Sequence, residues 1–175
     1  MARRTTRITL TFLITMVLLS SNTIWGRQKT VQPAIPKFNE LSNEDRARLD
    51  QQRAVVGAAA KQRYGTPALT KTSADIKVLR RLIDDKAFDK TNTYELQSLG
   101  VAFGDVLASE LQLRWLMVTD EYGTDPALRF KNTTIQINAL TMISKRIERD
   151  EAVNLPELLH ITRKQLTRLS KSGYL

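Results

Sequence analysis

Two carboxylates on one predicted helix are the first residues in this sequence that could do chemistry. From Thr93 to about residue 113, apolar side chains recur every three or four positions, which predicts a helix. On a helical wheel, Glu110 lies within about 40° of the apolar stripe, and Asp105 lies on the opposite side. We therefore expect Glu110 to be buried and Asp105 to face away from the core.

A buried Glu110 needs a cation, because an unpaired buried charge is strongly unfavourable. Arg114 is the local candidate, four residues further along, and Lys145 or Arg146 are candidates from another helix. Two interpretations follow. Glu110 is either half of a structural salt bridge where the helix meets a strand, or a general acid/base or ligand-anchoring carboxylate in a cleft. Replacing Glu110 by Gln separates them, because a structural residue affects stability alone.

The loop DEYGTD (120–125) is a second group of oxygen ligands. It places Asp120, Glu121 and Asp125 around Gly123, and Ca²⁺ prefers six to eight oxygens from loops of this kind. The alternating acids and terminal Glu of an EF-hand are missing. We therefore predict a solvated hairpin turn and no metal site, with Asp120 and Asp125 as the weak alternative.

The amino-acid counts exclude several classes of chemistry. The sequence has no cysteine, so disulfide scaffolds, zinc fingers, iron–sulfur sites and cysteine nucleophiles are impossible. It has one histidine, His160, which lies between apolar residues and accompanies no recognisable nucleophile motif. We expect neither a cofactor nor a histidine-based catalytic site.

Basic residues concentrate late in a chain whose formal net charge is +9. Arg114, Lys145, Arg146 and Arg149 are the candidate binding residues for an anionic partner. The last predicted helix has leucines on one side and charges on the other, so it is a basic amphipathic helix. Such a helix either lies on an anionic lipid or polymer, or packs its apolar side on the domain. We expect no nucleic-acid partner, because no aromatic and basic interleaving or DNA-binding motif is present.

The elements that position these residues are mostly helices. Helices are predicted from Ser42 to Tyr64, after Ser73, from Thr93 to about Leu113, from Asn138 to Asp150, and from Asn154 to about Ser172. Between the third and fourth helices the period changes, and three short strands are predicted over 114–119, 127–130 and 133–137. The predicted fold is α+β: N-terminal helices, a three-stranded antiparallel meander and C-terminal helices. Gly100 and Gly104 stand one turn apart on the third helix, where another backbone can approach closely.

The first 26 residues have the pattern of an export signal. Three arginines precede the apolar run ITLTFLITMVLL (8–19), which is too short for a comfortable membrane span. We predict a cleaved Sec-type signal peptide over 1–26, with a retained inner-membrane anchor facing the periplasm as the alternative. Residues 27–40, with Pro33 and Pro36, read as an extended tether, and 41–175 as a single domain. The expected location is the periplasm or the exterior.

A family resemblance rests on particular stretches of this sequence. LGVAFGDVLASELQLRWLMVTDEYGTDPALRF (99–130) and LTMISKRIERDEAVNLPEL (140–158) resemble a bacterial family of exported proteins, domain of unknown function 3806. LDQQRAVV (49–56) and the turn at Gly65–Pro67 are also similar. The matching positions are Gly100, Gly104, Asp105, Glu110, Trp115 and Thr141–Ser144, and Lys145 stands where an Arg is frequent. The resemblance implies one α+β unit with a core at about 94–158 and an envelope location, but no activity.

Two functions from different classes remain. The first is a non-enzymatic module that binds an envelope protein, or an anionic envelope polymer or lipid, through its basic face. The second is a small hydrolase or transferase of the envelope that uses Glu110 with Asp105 or Asp120. The absence of a nucleophile motif, a phosphate loop and soft metal ligands favours the first.

Overall fold

Five helices and four strands make up the computed structural model, which describes residues 36–171. In chain order these are β1 (Lys37–Asn39), α1 (Asn43–Tyr64), α2 (Ile76–Asp84), α3 (Thr93–Leu111), β2 (Leu113–Asp120), β3 (Gly123–Phe130), β4 (Gln136–Ile137), α4 (Ser144–Glu148) and α5 (Leu155–Lys171). The fold class is α+β, as the sequence predicts.

Helix α1 begins and ends at the residues that the sequence marks. Ser42 accepts a hydrogen bond from the Asp45 backbone N–H, and the Asp45 carboxylate accepts one from the Ser42 N–H, which completes a capping box. At the other end Gly65 has a φ of 62°, the left-handed conformation that glycine adopts without strain. A 3₁₀ turn over Ser73–Asp75, capped by Thr72 and not by Ser73, then leads into α2.

The sheet is antiparallel, with the order β1-β2-β3-β4, and so has one strand more than the predicted meander. The extra strand is β1, which pairs with β2 through Phe38 and Val118 and lies within the predicted tether. The third predicted strand is shorter than expected, because Thr133 closes a turn after β3: its hydroxyl donates to the Phe130 carbonyl and accepts from the Ile135 N–H. Only Gln136–Ile137 pairs with β3.

Helix α3 lies at the centre of the fold and is buried on almost every side. The loop between β4 and α4 crosses it at Gly100, where a Cβ atom would overlap the carbonyl oxygens of Ala139 and Leu140. The predicted close approach of another backbone is therefore confirmed. The same crossing corrects the predicted helix over 138–150, because residues 138–139 are irregular, residues 140–143 form a turn over α3, and only Ser144–Glu148 are helical.

Helix α5 packs its leucine side on the domain. Leu155, Leu159 and Leu166 are buried, whereas the charged residues of the helix are exposed. Asn154 accepts a hydrogen bond from the Glu157 N–H and begins the helix as predicted.

The predicted signal peptide (1–26) and the first part of the predicted tether lie outside the described residues. Within residues 36–171, no helix is both long and apolar enough to cross a membrane.

Candidate functional site

Asp105, which the helical wheel places away from the core, is buried in the middle of the molecule. Its side chain is 7% exposed, so the prediction for this residue was wrong. The wheel assumes one buried stripe, but α1 packs across the face of α3 that carries Asp105, while other elements cover the remaining faces.

Three hydrogen bonds to two side chains hold the Asp105 carboxylate. Arg53 of α1 donates from Nε to Oδ2 at 2.6 Å and from Nη2 to Oδ1 at 2.8 Å, a bidentate pair. Trp115 of β2 donates from Nε1 to Oδ1 at 3.0 Å. The hydrogen bonds from Arg53 to Asp105 are the largest cause that raises the pKa of the Arg53 guanidinium above its usual value. This cluster therefore joins α1, α3 and the sheet through one neutralised carboxylate.

Gly104 makes room for the indole that completes this cluster. A Cβ atom at Gly104 would overlap the Trp115 ring, so the ring can lie against α3 and reach Asp105 only because this position is glycine. Gly104, Asp105 and Trp115 are three of the positions on which the family resemblance rests, and they form a single packed unit.

A cavity lies beside this cluster. Its volume is about 840 Å³, and it runs between α1 and the segment 65–71, with Ala102 and Asp105 of α3 at its floor. The α1 residues that line it recur at helical spacing and so form one stripe along the helix: Asp50, Arg53, Ala54, Gly57, Ala58 and Lys61. Half of these residues are small (Ala54, Gly57 and Ala58) and the other half are charged. We call this cavity the α1 groove.

The second wall of the α1 groove is held in place by Asp75. This carboxylate is buried and accepts hydrogen bonds from the Thr70 N–H at 3.0 Å, the Thr70 hydroxyl at 2.9 Å and the Lys71 N–H at 2.7 Å. Leu69 of the same segment packs against the core. The wall is thus fixed from inside, and the groove is preformed.

Charged side chains of both signs line the α1 groove. Arg53 donates to Asp50 at 2.8 Å as well as to Asp105, so one cation serves two carboxylates. Lys61 and Lys71 are exposed and also line the groove. Neither forms a salt bridge or hydrogen bond within residues 36–171 through its ammonium group.

Glu110, the leading carboxylate of the sequence analysis, is not buried in the core. Its side chain is 27% exposed and accepts a hydrogen bond from Arg163 of α5 at 3.3 Å. The predicted partners were wrong, since Arg114 pairs instead with Glu40 at 2.8 Å. Glu110 lies in the last turn of α3, beside α5, and its side chain stays partly in contact with solvent.

The candidate basic residues separate into two places. Lys145, Arg146 and Arg149 line a shallow cavity of about 280 Å³, in which Arg146 donates to the Met142 carbonyl at 2.5 Å. Arg114 is not among the residues that line it. His160 is exposed on α5.

The DEYGTD loop is the hairpin turn between β2 and β3. Asp120 accepts from the Tyr122 N–H at 2.9 Å and from Gln136 at 3.3 Å, and both Asp120 and Asp125 line a cavity of about 380 Å³. Tyr122 at its tip is 88% exposed, and the neighbouring Glu121 carboxylate raises the pKa of its hydroxyl. No three His, Cys, Asp or Glu side chains of the described residues come together as a metal site.

Sequence reasoning missed Arg53, Lys61 and Lys71. No local pattern connects Arg53 with a carboxylate 52 positions away. The signal that could have found the groove is in the resemblance itself, because LDQQRAVV (49–56), Gly65–Pro67 and Asp105 all meet there.

The structural class of the protein is an α+β domain, in which helices cover a small antiparallel sheet and a groove lies between a helix and a loop. The family model for the Domain of unknown function (DUF3806) matches residues 75–158. The resemblance read from the sequence is thereby confirmed over this range.

A crystal structure from Bacteroides thetaiotaomicron VPI-5482, determined at 1.50 Å resolution, has a similar fold. The TM-score is 0.65 at 13% sequence identity, over 76% of this chain. This chain spans about half of that protein, since the match covers 49% of its length. No curated protein matches this chain.

Proposed function

We propose that this protein is a non-enzymatic binding module of the bacterial envelope, and that its ligand occupies the α1 groove. The observation that carries this proposal is the α1 groove itself, a preformed cavity of about 840 Å³ that is lined by Ala54, Gly57 and Ala58 together with charged side chains of both signs. Mostly apolar, preformed concavities with a few placed polar groups are the usual form of a ligand site.

The carboxylates near the α1 groove support binding and not catalysis. Both oxygens of Asp105 are occupied by Arg53 and Trp115, and Asp75 is occupied by the backbone of its own loop. A general base must be free to take a proton from a substrate within hydrogen-bond reach. No observation favours the alternative hydrolase or transferase, which would use Glu110 with Asp105 or Asp120.

Export is the second part of the proposal and is supported by the sequence alone. Arginines followed by the apolar run 8–19 are typical of a signal peptide, and a cysteine-free domain needs no oxidising step to fold outside the cytoplasm. The partner is then a component of the envelope.

Site-specific photocrosslinking in cells tests the binding role. A photoreactive amino acid replaces Ala58, which is exposed and lines the α1 groove; the control replaces Lys164, which is exposed on α5. We expect a discrete adduct with an envelope component from position 58 and not from position 164. Equal labelling from both positions, or none from position 58, overturns the binding role.

Two further measurements on the same sample test export and the non-enzymatic role. The N-terminus of the recovered protein reports export, and an N-terminus before residue 20 in a cytoplasmic fraction contradicts it. Incubation of the purified protein with envelope glycans and peptides reports catalysis, and turnover by the purified protein overturns the non-enzymatic role.

A further inference from the structure

We infer that the shallow cavity beside α4 is a second binding site, which takes the phosphate group of a phosphomonoester. We call it the α4 cavity; its volume is about 280 Å³, and its charged lining residues are Lys145, Arg146, Arg149 and Glu151. No residue lines both this cavity and the α1 groove, so the inference goes beyond the proposed binding role.

Arg146 is the half-buried cation of the α4 cavity, and it has no carboxylate partner. Its Nη1 donates to the Met142 carbonyl at 2.5 Å, which fixes the guanidinium against the loop that precedes α4. Within residues 36–171, the Arg146 side chain makes no salt bridge and no other hydrogen bond. A guanidinium fixed in this way keeps several N–H donors of its planar fork free, and that fork matches the oxygens of a phosphate.

Two further cations stand next to Arg146 at positions that the backbone of α4 sets. Lys145 is its neighbour in sequence, and Arg149 follows one helical turn later. Long side chains on a helix lean toward the helix N-terminus, so both lean toward the same loop as Arg146. Lys145 also lines the neighbouring cavity that contains Asp120 and Asp125, but its ammonium group pairs with no described residue.

The charges that line the α4 cavity do not balance. Among its lining residues, the one contact between a cation and a carboxylate is Arg149 with Glu151, at 4.0 Å. Asp150 does not line the cavity and pairs instead with Lys90 at 3.2 Å. Three cations and one carboxylate leave an excess of two positive charges. A phosphomonoester carries about −1.5 to −2 charges at neutral pH and so matches this excess, whereas a carboxylate carries only one.

Neutral hydrogen-bonding groups complete the lining of the α4 cavity. Asn138 and Thr141 line it from the preceding loop, and neither side chain has a hydrogen-bond partner in the described part of the chain. An amide N–H and a hydroxyl can donate to phosphate oxygens that the cations leave unbonded. The cavity therefore offers charged and neutral donors to one small anion.

Calorimetric titration of the purified protein with inorganic phosphate, methyl phosphate and dimethyl phosphate tests the inference. We expect inorganic phosphate and methyl phosphate to bind. Dimethyl phosphate carries one negative charge, so it should bind about threefold to fivefold more weakly, as for the loss of one exposed ion pair. Equal affinity for methyl and dimethyl phosphate, or no binding at millimolar concentration, overturns the inference.

Exposed cations of the α4 cavity can be removed with little risk to the fold. Lys145→Gln and Arg149→Gln should each weaken methyl phosphate about threefold to fivefold, and the double variant should weaken it more than about tenfold. Arg168→Gln is the matched control, because it removes one exposed cation of α5 that does not line the cavity. A loss in the control as large as in Arg149→Gln would mean that net charge alone attracts the anion, and overturns the site.

Arg146→Lys tests the role of the planar fork. The variant keeps the positive charge, so the melting temperature should change by no more than a few degrees, while methyl phosphate affinity should fall about tenfold. Unchanged affinity in this folded variant overturns the assignment of Arg146 as the principal contact.

Vesicles distinguish the two sources of a phosphomonoester. Phosphatidylcholine vesicles that contain phosphatidic acid present the group on a membrane, whereas methyl phosphate presents it in solution. Sedimentation with these vesicles that methyl phosphate reverses supports a lipid headgroup, and binding of methyl phosphate without sedimentation supports a soluble ligand. Sedimentation that methyl phosphate and Arg146→Lys both leave unchanged overturns the site as the membrane contact. Since the two cavities share no residue, a missing adduct at Ala58 contradicts the proposed function alone, and missing phosphate binding contradicts this inference alone.

Discussion

Asp105 and Glu110 lie on the same helix, five positions apart, but their side chains differ in burial and in the number of their hydrogen-bond partners. Asp105 is 7% exposed and has two side-chain partners, whereas Glu110 is 27% exposed and has one, at 3.3 Å. The wheel of α3 assigns them the other way round. The difference shows that burial on a central helix depends on which elements pack against each face, and α1 happens to cover the face of Asp105.

The two carboxylates also differ in what they connect. Asp105 joins α1 to β2 through Arg53 and Trp115, and Arg53 and Asp105 both line the α1 groove. Glu110 joins α3 to α5 near the surface. The first pair is costly to break because a buried charge stays behind, and the second is close to neutral in free energy because water replaces the partner.

The largest expected effect follows from removal of the buried cation. Arg53→Leu leaves the Asp105 carboxylate without its bidentate partner, and we expect the free energy of unfolding to fall by about 3–5 kcal/mol. Urea denaturation followed by circular dichroism measures it. The double variant Arg53→Leu with Asp105→Leu should recover most of the loss, because no unpaired charge remains. A double variant no more stable than the single one contradicts the role of charge.

Trp115→Phe tests the third member of the cluster and should have a smaller effect. The exchange removes the indole N–H that donates to Asp105 at 3.0 Å and part of the ring that lies on Gly104. We expect a loss of about 1–2 kcal/mol in the free energy of unfolding. In the Asp105→Leu background the same exchange should cost less, since the hydrogen bond is already absent. Equal costs in both backgrounds mean that the ring acts by packing alone.

The sequence is sufficient for the features that depend on neighbours along the chain. The helix start at Ser42, the helix end before Gly65 and the helix start at Asn154 depend on local signals, and all three were predicted correctly. The β2–β3 hairpin and the tight contact at Gly100 were also predicted, since strand period and small residues are visible in a single sequence.

The features that depend on distant parts of the chain were not predictable in this way. β1 becomes a strand because it pairs with the edge of β2. Residues 138–143 form an irregular stretch and a turn, and not a helix, because α3 lies beneath them. In the candidate site, Asp105 was recognised as a position of the family resemblance but was assigned to the exposed side of α3. Arg53 belongs to α1, where no local sequence pattern indicates that it pairs with Asp105. Charge pairing across 52 positions leaves no periodic trace in one sequence.

Glu110→Gln gives the smallest expected effect and closes the comparison with Asp105. The side chain is partly exposed and its bond to Arg163 is long, so the free energy of unfolding should fall by less than about 1 kcal/mol. The loss should disappear in 1 M salt, where charges are screened within about 3 Å. Arg163→Gln should have the same effect, and the double variant should cost no more than either single one. A loss as large as that of Arg53→Leu would mean that Glu110 is a structural charge like Asp105. A change near zero would place the Glu110–Arg163 pair with the other surface salt bridges, and Asp105 would then be the carboxylate of α3 that stabilises the fold.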